Sequence, residues 1–308
     1  MVSLELLSSL DGLIWLQSGT KVGELFHQHQ TTVSRNLKKC SEVFGLSIYK
    51  QNSFWLIEGD CALLNLERAV HQSARLQGKS PLRLEVNGWS NSVLFPRPPT
   101  GWVASTSQAN LLQPGQTLQL LRDNIIDAWL CLSPEAPQES EDFCVVDLCE
   151  APIQFLVAPG HPLLECKTIN FELLKSYPFQ RGLLKSLPGT VARLKKSNLW
   201  TQEHDCYRYP QLDRADQQAV SLTLHLDPLL ANDSDTSDLV PLPISLKIKT
   251  GISLVYKHSL GTNNQGIQSL SGYLRRQLRL HQSKHHSLQL LPDGAPSGWG
   301  IRGKSRSR

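Results

Sequence analysis

The chain has 308 residues, 40% of them hydrophobic and 19% charged, a globular composition with room for two or three domains. Its formal net charge is +4, yet residues 1–280 carry equal numbers of acids and bases, so a uniformly basic coat is excluded and any anion-binding surface must be a local arrangement. The seven cysteines form no CxxC pair and no zinc-spaced cluster, and no apolar run approaches ~18 residues, so no disulfide framework, metal site, cofactor or membrane span is expected.

Residues 4–17 place Leu4, Leu7, Leu10, Leu13 and Ile14 at helical spacing. Glu5 and Asp11 sit among these leucines without a basic lead, so the segment reads as a helix rather than a signal peptide. Ser18-Gly19-Thr20 breaks this helix and caps a short second one over 21–27, with Val22, Leu25 and Phe26 inward. A third helix from Gln30 buries Val33, Leu37 and Cys40, and Gly45 stands where a helix ends in a left-handed residue. Ile48-Tyr49 and Phe54-Trp55-Leu56 flank Asn52-Ser53 as a short hairpin.

Three helices and a small hairpin describe a winged helix-turn-helix, whose later helix enters the DNA major groove. Burying Val33, Leu37 and Cys40 turns Thr31, Thr32, Ser34, Arg35, Lys38 and Lys39 outward, with Gln30 at the start of the helix and Asn36 as further candidates. Hydroxyls and amides pair with base edges or phosphate, and an arginine forks onto guanine. A solvated face of a small helical domain is the competing reading. Glu58 to Gln77 then reads as one longer helix, with Leu63, Leu66, Val70 and Ser73 on an a/d-like seam and Glu67, Arg68 and Arg75 off it. That seam packs either on its own domain or on the same helix of a second chain.

After Gly78 the pattern changes. Strand-like runs cover 82–86, 125–132, 143–148, 153–158, 221–226 and 251–256, and helical stretches cover 118–122, 171–176, 191–198, 213–219 and 265–280. The alternation predicts α/β lobes with mainly parallel sheets. Residues 281–308 hold His281, Lys284, His285, His286, Arg302, Lys304, Arg306 and Arg308 among glycines and serines, and read as a basic, disordered tail. The chain has no Gly-rich phosphate loop, no GxSxG and no zinc-spaced His/Glu set, and His161 before Pro162 has no sequence-level partner, so it does not read as an enzyme.

The run Phe26-His27-Gln28-His29-Gln30-Thr31-Thr32-Val33-Ser34-Arg35 resembles the helix-turn-helix of the LysR-type transcriptional regulators, with Gln30, Val33 and Ser34 matching that family's Ser-Gln-Pro-Ala-Val-Ser-like run. Phe44-Gly45-Leu46-Ser47-Ile48-Tyr49, Leu56-Ile57-Glu58-Gly59, Ile126-Asp127-Ala128, His161-Pro162-Leu163 and the stretch from Asn170 to Gln180 are similar to later family motifs and fall in family order. The resemblance implies an α/β protein with an N-terminal all-α winged helix-turn-helix over 1–57 and a linker and dimerisation helix over 58–78. Two Rossmann-like lobes, similar to periplasmic binding proteins, follow over 79–280, and the tail over 281–308. It also implies a cytoplasmic transcription regulator that binds double-stranded DNA as a homodimer or homotetramer, senses a small-molecule effector between the lobes and meets RNA polymerase.

Ligands in such folds lie in loops at the carboxyl ends of strands. That puts forward Asn87, Ser90, Ser105 and Thr106, beside the plainer reading of ordinary loop hydroxyls. The chain departs from the family pattern in three places. His29 and Thr31 stand where serine and proline are usual, which removes the standard cap of the third helix. The hairpin is short and has Gln51, Asn52, Ser53, Phe54 and Trp55 where basic residues are common. Pro96, Pro98 and Pro99 argue against the family's first-lobe helix. Residues 1–76 hold seven basic and seven acidic side chains, so a module binding a ligand or protein, with a degenerate head that no longer binds DNA, stays as the alternative.

Overall fold

Ser3 starts the first helix, its hydroxyl accepting the Leu6 N–H at 3.2 Å, and α1 runs Leu4–Leu16 until Gln17 turns left-handed at φ 58°. Ser18 caps α2, Gly19–Phe26, in the same way. The third helix, α3, spans Gln30–Phe44 and ends at Gly45 with φ 65°. A hairpin of β1, Ser47–Gln51, and β2, Phe54–Glu58, follows in antiparallel register, Tyr49 opposite Leu56. Leu6, Leu7, Leu10, Cys40, Leu46 and Leu64 form the core under these elements. The computed structural model describes residues 2–52, 54–86, 94, 98–105, 112–174, 176–177, 187–198, 222–225, 238–261, 263–282 and 287–292.

The linker helix α4 spans Ala62–Leu76, shorter than the expected 58–77. β2 keeps the chain extended to Glu58, and Gly59 turns it at φ 128°, a conformation that favours glycine. The chain divides into two compact units: Met1–Leu130 with Ser140–Cys144 and Val255–Tyr273, and Cys131–Glu139 with Val145–Leu254 and Leu274–Arg308. The head, α4 and the first strands of the α/β region therefore fall in one unit, and neither 57 nor 78 divides compact units.

In the first unit β3, Leu82–Val86, pairs in parallel with β4, Trp102–Ala104, and with β5, Ala128–Leu132; α5, Pro114–Arg122, lies between β4 and β5 in the chain. All five residues of β3 are buried, consistent with a parallel strand covered on both faces. The second unit takes most of β6, Phe143–Pro152, then β7, Gln154–Val157, the short α6, Phe171–Leu174, and α7, Pro188–Lys196. β8, Thr223–His225, and β9, Val240–Pro241, follow. The strand β10, Lys249–Lys257, and the helix α8, Gln265–Gln282, each pass from one unit to the other.

Here the sheets depart from the expected parallel order. β7 pairs antiparallel with both β8 and β9, and β11, Gln289–Leu290, pairs antiparallel with β6. Alternating strand and helix signals give element type, whereas direction depends on the side from which the chain returns. β11 also corrects the tail. Helix α8 continues to Gln282, Leu288 is buried, and the Leu291 carbonyl accepts from Arg275, so folded structure reaches past the expected boundary at 280. The helix expected over 213–219 and residues 293–308 lie outside the described residues. The architecture is α/β: a winged helix-turn-helix, a linker helix and two α/β lobes.

Candidate nucleic-acid interface

Two braces set the position of α3. The Asn36 amide donates to Ser9 Oγ on α1 at 2.8 Å, and that hydroxyl donates in turn to Gln28 Oε1 at 2.6 Å. Asn36 is thus spent on holding the helix, not offered to DNA. The turn between α2 and α3 is closed by the Gln28 N–H on the Gly23 carbonyl at 2.8 Å, with His27 left-handed at φ 54°. A Cβ on Gly23 would come within 2.6 Å of the Gln28 carbonyl oxygen, so this turn requires glycine there. As expected from the sequence, His29 supplies no side-chain cap to α3.

Gln30, Thr31, Ser34, Arg35 and Lys38 are exposed, and Thr32 is half-buried. Thr31, Ser34, Arg35 and Lys38 fall three, four and seven residues apart and share one helix face. Ser34 donates to the Gln30 carbonyl at 3.1 Å and otherwise faces solvent. Arg35, Lys38 and Lys39 gather positive charge on α3, opposed by Glu42 one turn beyond. The wing is held to α1, since the Trp55 N–H donates to Gln17 Oε1 at 2.5 Å. Its exposed residues are mixed: the large apolar side chains Tyr49, Phe54 and Leu56 stand beside Ser47, Lys50, Gln51, Asn52 and Glu58.

The effector candidates divide. Asn87, Ser90 and Thr106 lie outside the described residues. Ser105 is buried, and its hydroxyl accepts the Val86 N–H at 3.1 Å and approaches the Val86 carbonyl at 3.3 Å, so it fastens the end of β3. A cleft of about 280 Å³ in the first unit is lined by Arg122, Glu141, Asp142, Phe143, Lys257 and Ser259. Its cations already have partners: Arg122 lies 3.7 Å from Asp142, and Lys257 donates to Asn124 Oδ1 at 2.8 Å.

Sequence reasoning missed a buried charge network beneath the head. Asp11 on α1 is fully buried and accepts from Arg68 Nε at 2.8 Å and from Arg83 Nη1 at 3.2 Å. Arg83, on β3, also donates to Ser8 Oγ at 2.9 Å and to the Ile125 carbonyl at 3.0 Å, and its guanidinium lies 5.2 Å from the Phe26 ring centre on α2. Burial and the neighbouring Arg75 push Arg83 down to about 10, so it stays charged at neutral pH. One turn up α4 from Arg68, Gln72 donates to Asp127 Oδ1 at 3.0 Å, and Arg75 donates to both oxygens of Asp127. Trp15 Nε1 donates to the carboxylate of Glu85, whose pKa burial raises to about 7 against the opposing hydrogen bonds from Trp15 and Ser105.

Six free cysteines are described. Burial pushes the Cys40 thiol up to about 12, and Cys131 is raised well above its ordinary value by burial and by Glu135 and Asp147. Cys144 and Cys149 are buried on β6. These four are packing residues rather than nucleophiles. His161 is buried too; its Nδ1 accepts the Leu163 N–H at 3.1 Å and caps the turn Pro162–Glu165, against the Tyr177 ring.

No family model and no curated protein matches the chain. Among solved structures it is similar to a probable transcriptional regulator, PA0477 from Pseudomonas aeruginosa, at 12% identity and a TM-score of 0.52, covering 89% of this chain and 97% of that one. It is similar to the OxyR C206 mutant of Corynebacterium glutamicum at 15% identity and a TM-score of 0.50, covering 92% and 95%. At such identities the likeness is one of fold, and it runs over nearly the whole of each chain. The chain therefore has the fold of the full-length LysR-type regulators.

Proposed function

We propose that this protein is a divergent LysR-type transcription regulator that binds double-stranded DNA through α3. The observation that carries the reading is the exposed face of Gln30, Thr31, Ser34, Arg35 and Lys38 on the third helix of a winged helix-turn-helix. Arg35 reads a base edge, the hydroxyls and Gln30 contact bases or phosphate, and Lys38 with Lys39 supplies phosphate contacts. Two copies meet along the exposed stripe of α4, giving a homodimer or a tetramer built from it. In this reading the chain comprises a DNA-binding head, a linker helix, a two-lobed effector region and a tail, and RNA polymerase is the expected protein partner. A small effector acts through Asn87, Ser90 and Thr106, which follow β3 and β4 in the chain, while Ser105 fastens the end of β3.

Selecting bound sites from a random DNA pool with the purified chain tests the reading. Enrichment of one motif, lost in Arg35→Ala, is the expected result; a pool without enrichment overturns it. The second reading, a ligand- or protein-binding module whose head no longer binds DNA, is favoured by the exposed apolar side chains Tyr49, Phe54 and Leu56 on the wing. It predicts no enrichment from the pool.

A further inference from the structure

We propose that Arg83 of β3 is a positioning residue for the recognition helix, making the head and the first strands of the α/β region one cooperative block instead of two bodies on a hinge. In a hinged arrangement the linker helix would be the route between them. Here β3 reaches the head directly. The Arg83 guanidinium holds Ser8 and Asp11 of α1 and lies by the Phe26 ring of α2, while its own backbone exchanges hydrogen bonds with Asp127. Two residues along the same strand Glu85 takes the Trp15 N–H, giving α1 a second attachment one helical turn from Asp11. The linker does not stand apart either, since Arg68 holds Asp11 and Arg75 holds Asp127. All these side chains except Ser8 and Phe26, which are half-buried, are buried. Parting the head from β3 would take Arg83 from Asp11 and Ser8 and Glu85 from Trp15, leaving Asp11 with Arg68 alone, and breaking a buried ion pair is strongly disfavoured.

The connection continues to α3. Ser9, beside Ser8 on α1, holds Asn36, and the Cys40 thiol approaches the Leu6 carbonyl at 3.7 Å. At the other end β3 runs into Val86, fastened by Ser105, directly before Asn87 in the chain. A shift in this part of β3 therefore reaches α3 through α1, by way of buried and half-buried side chains. The consequence for DNA reading rests on the function proposed above; the cooperative block itself does not.

Hydrogen exchange of the full-length chain without DNA, read by mass spectrometry, tests it. Amides of α1 and β3 should exchange through a common opening, with the same protection within about threefold and the same denaturant dependence. The change Glu85→Ala, made on the strand, should lower protection in α1 by about tenfold or more while leaving α7 unchanged. If α1 exchanges through a smaller opening that leaves β3 protected, or keeps its protection in Glu85→Ala, the block does not exist. Should the variant fail to fold, the denaturant dependence of the unaltered chain decides alone. A separate titration of selected DNA reports on the function, so either idea can fail without the other.

Discussion

A single carboxylate shared by two guanidiniums is costly to disturb, and Asp11 is fully buried between Arg68 and Arg83. Asp11→Ala should cost about 3–5 kcal/mol in denaturant unfolding, because both arginines stay buried with their charge uncompensated. A loss below about 1 kcal/mol would show the pair behaving as an exposed one. Glu85 gives a pH signature of defined sign. Burial raises it from an ordinary 4.5 to about 7, so the folded chain keeps a proton that the unfolded chain has released. Its contribution is fully present below 4.5 and is lost as pH rises through about 7, with a slope of up to about 1.4 kcal/mol per pH unit. The charges nearby, Asp11, Arg68, Arg75, Arg83 and Asp127, pair among themselves. Glu85→Gln should therefore flatten the decline between pH 5 and 8, and an unaltered slope would assign it to another group. On the DNA side, Arg35→Ala should cost about 1–3 kcal/mol against the selected motif and relax preference at one position. An unchanged ratio of specific to non-specific binding would take α3 out of the recognition role.

At the scale of elements, α4 shows where sequence reading succeeds and where it inverts. The stripe Leu63, Leu66 and Val70 is legible from its spacing, and the structure leaves it exposed at 57%, 68% and 44%. The opposite face, with Leu64, Arg68, Gln72 and Arg75, is buried although it is mostly polar. Apolar periodicity is the dominant cue to an inward face, and it points the wrong way here because the covered face is held by ion pairs. The cue that was available is an acid within an apolar helix, Asp11, and another at the start of a strand, Asp127, facing basic residues spaced seven apart on α4. Pairing them requires knowing which elements touch, which a single sequence does not state. An apolar stripe on a helix whose other face is already packed is suited to a second copy of itself. Changing both Leu66 and Val70 to Asp should place charge on that seam and yield monomers in sedimentation. Because both side chains are exposed within one chain, the fold should survive, and a dimer that persists would show that the seam lies elsewhere.

Across the whole molecule, every strand expected within the described residues is present, and the winged head follows its predicted spans within a few residues. Strand direction and the grouping of elements into units were not legible, because both depend on long-range pairing rather than on local pattern. The tail boundary also moved, and this bears on how charge can be tested. Residues 1–280 carry balanced charge, so the excess available for phosphates lies in Lys284, Arg302, Lys304, Arg306 and Arg308. Truncation after Leu280 would delete β11 and the buried Leu288, confounding a loss of charge with a loss of packing. Truncation after Pro292 keeps both and removes four of the five basic residues together with Asp293. If those four contact phosphates non-specifically, their removal should weaken binding to every sequence alike and flatten the salt dependence by about 0.9 unit per lost contact. The ratio between selected and random DNA should stay as it was, since discrimination resides in α3. Titrating both DNAs at several salt concentrations separates these effects: a changed ratio would give the tail a part in reading sequence, and an unchanged slope would leave α3 and the wing with all of the phosphate contacts.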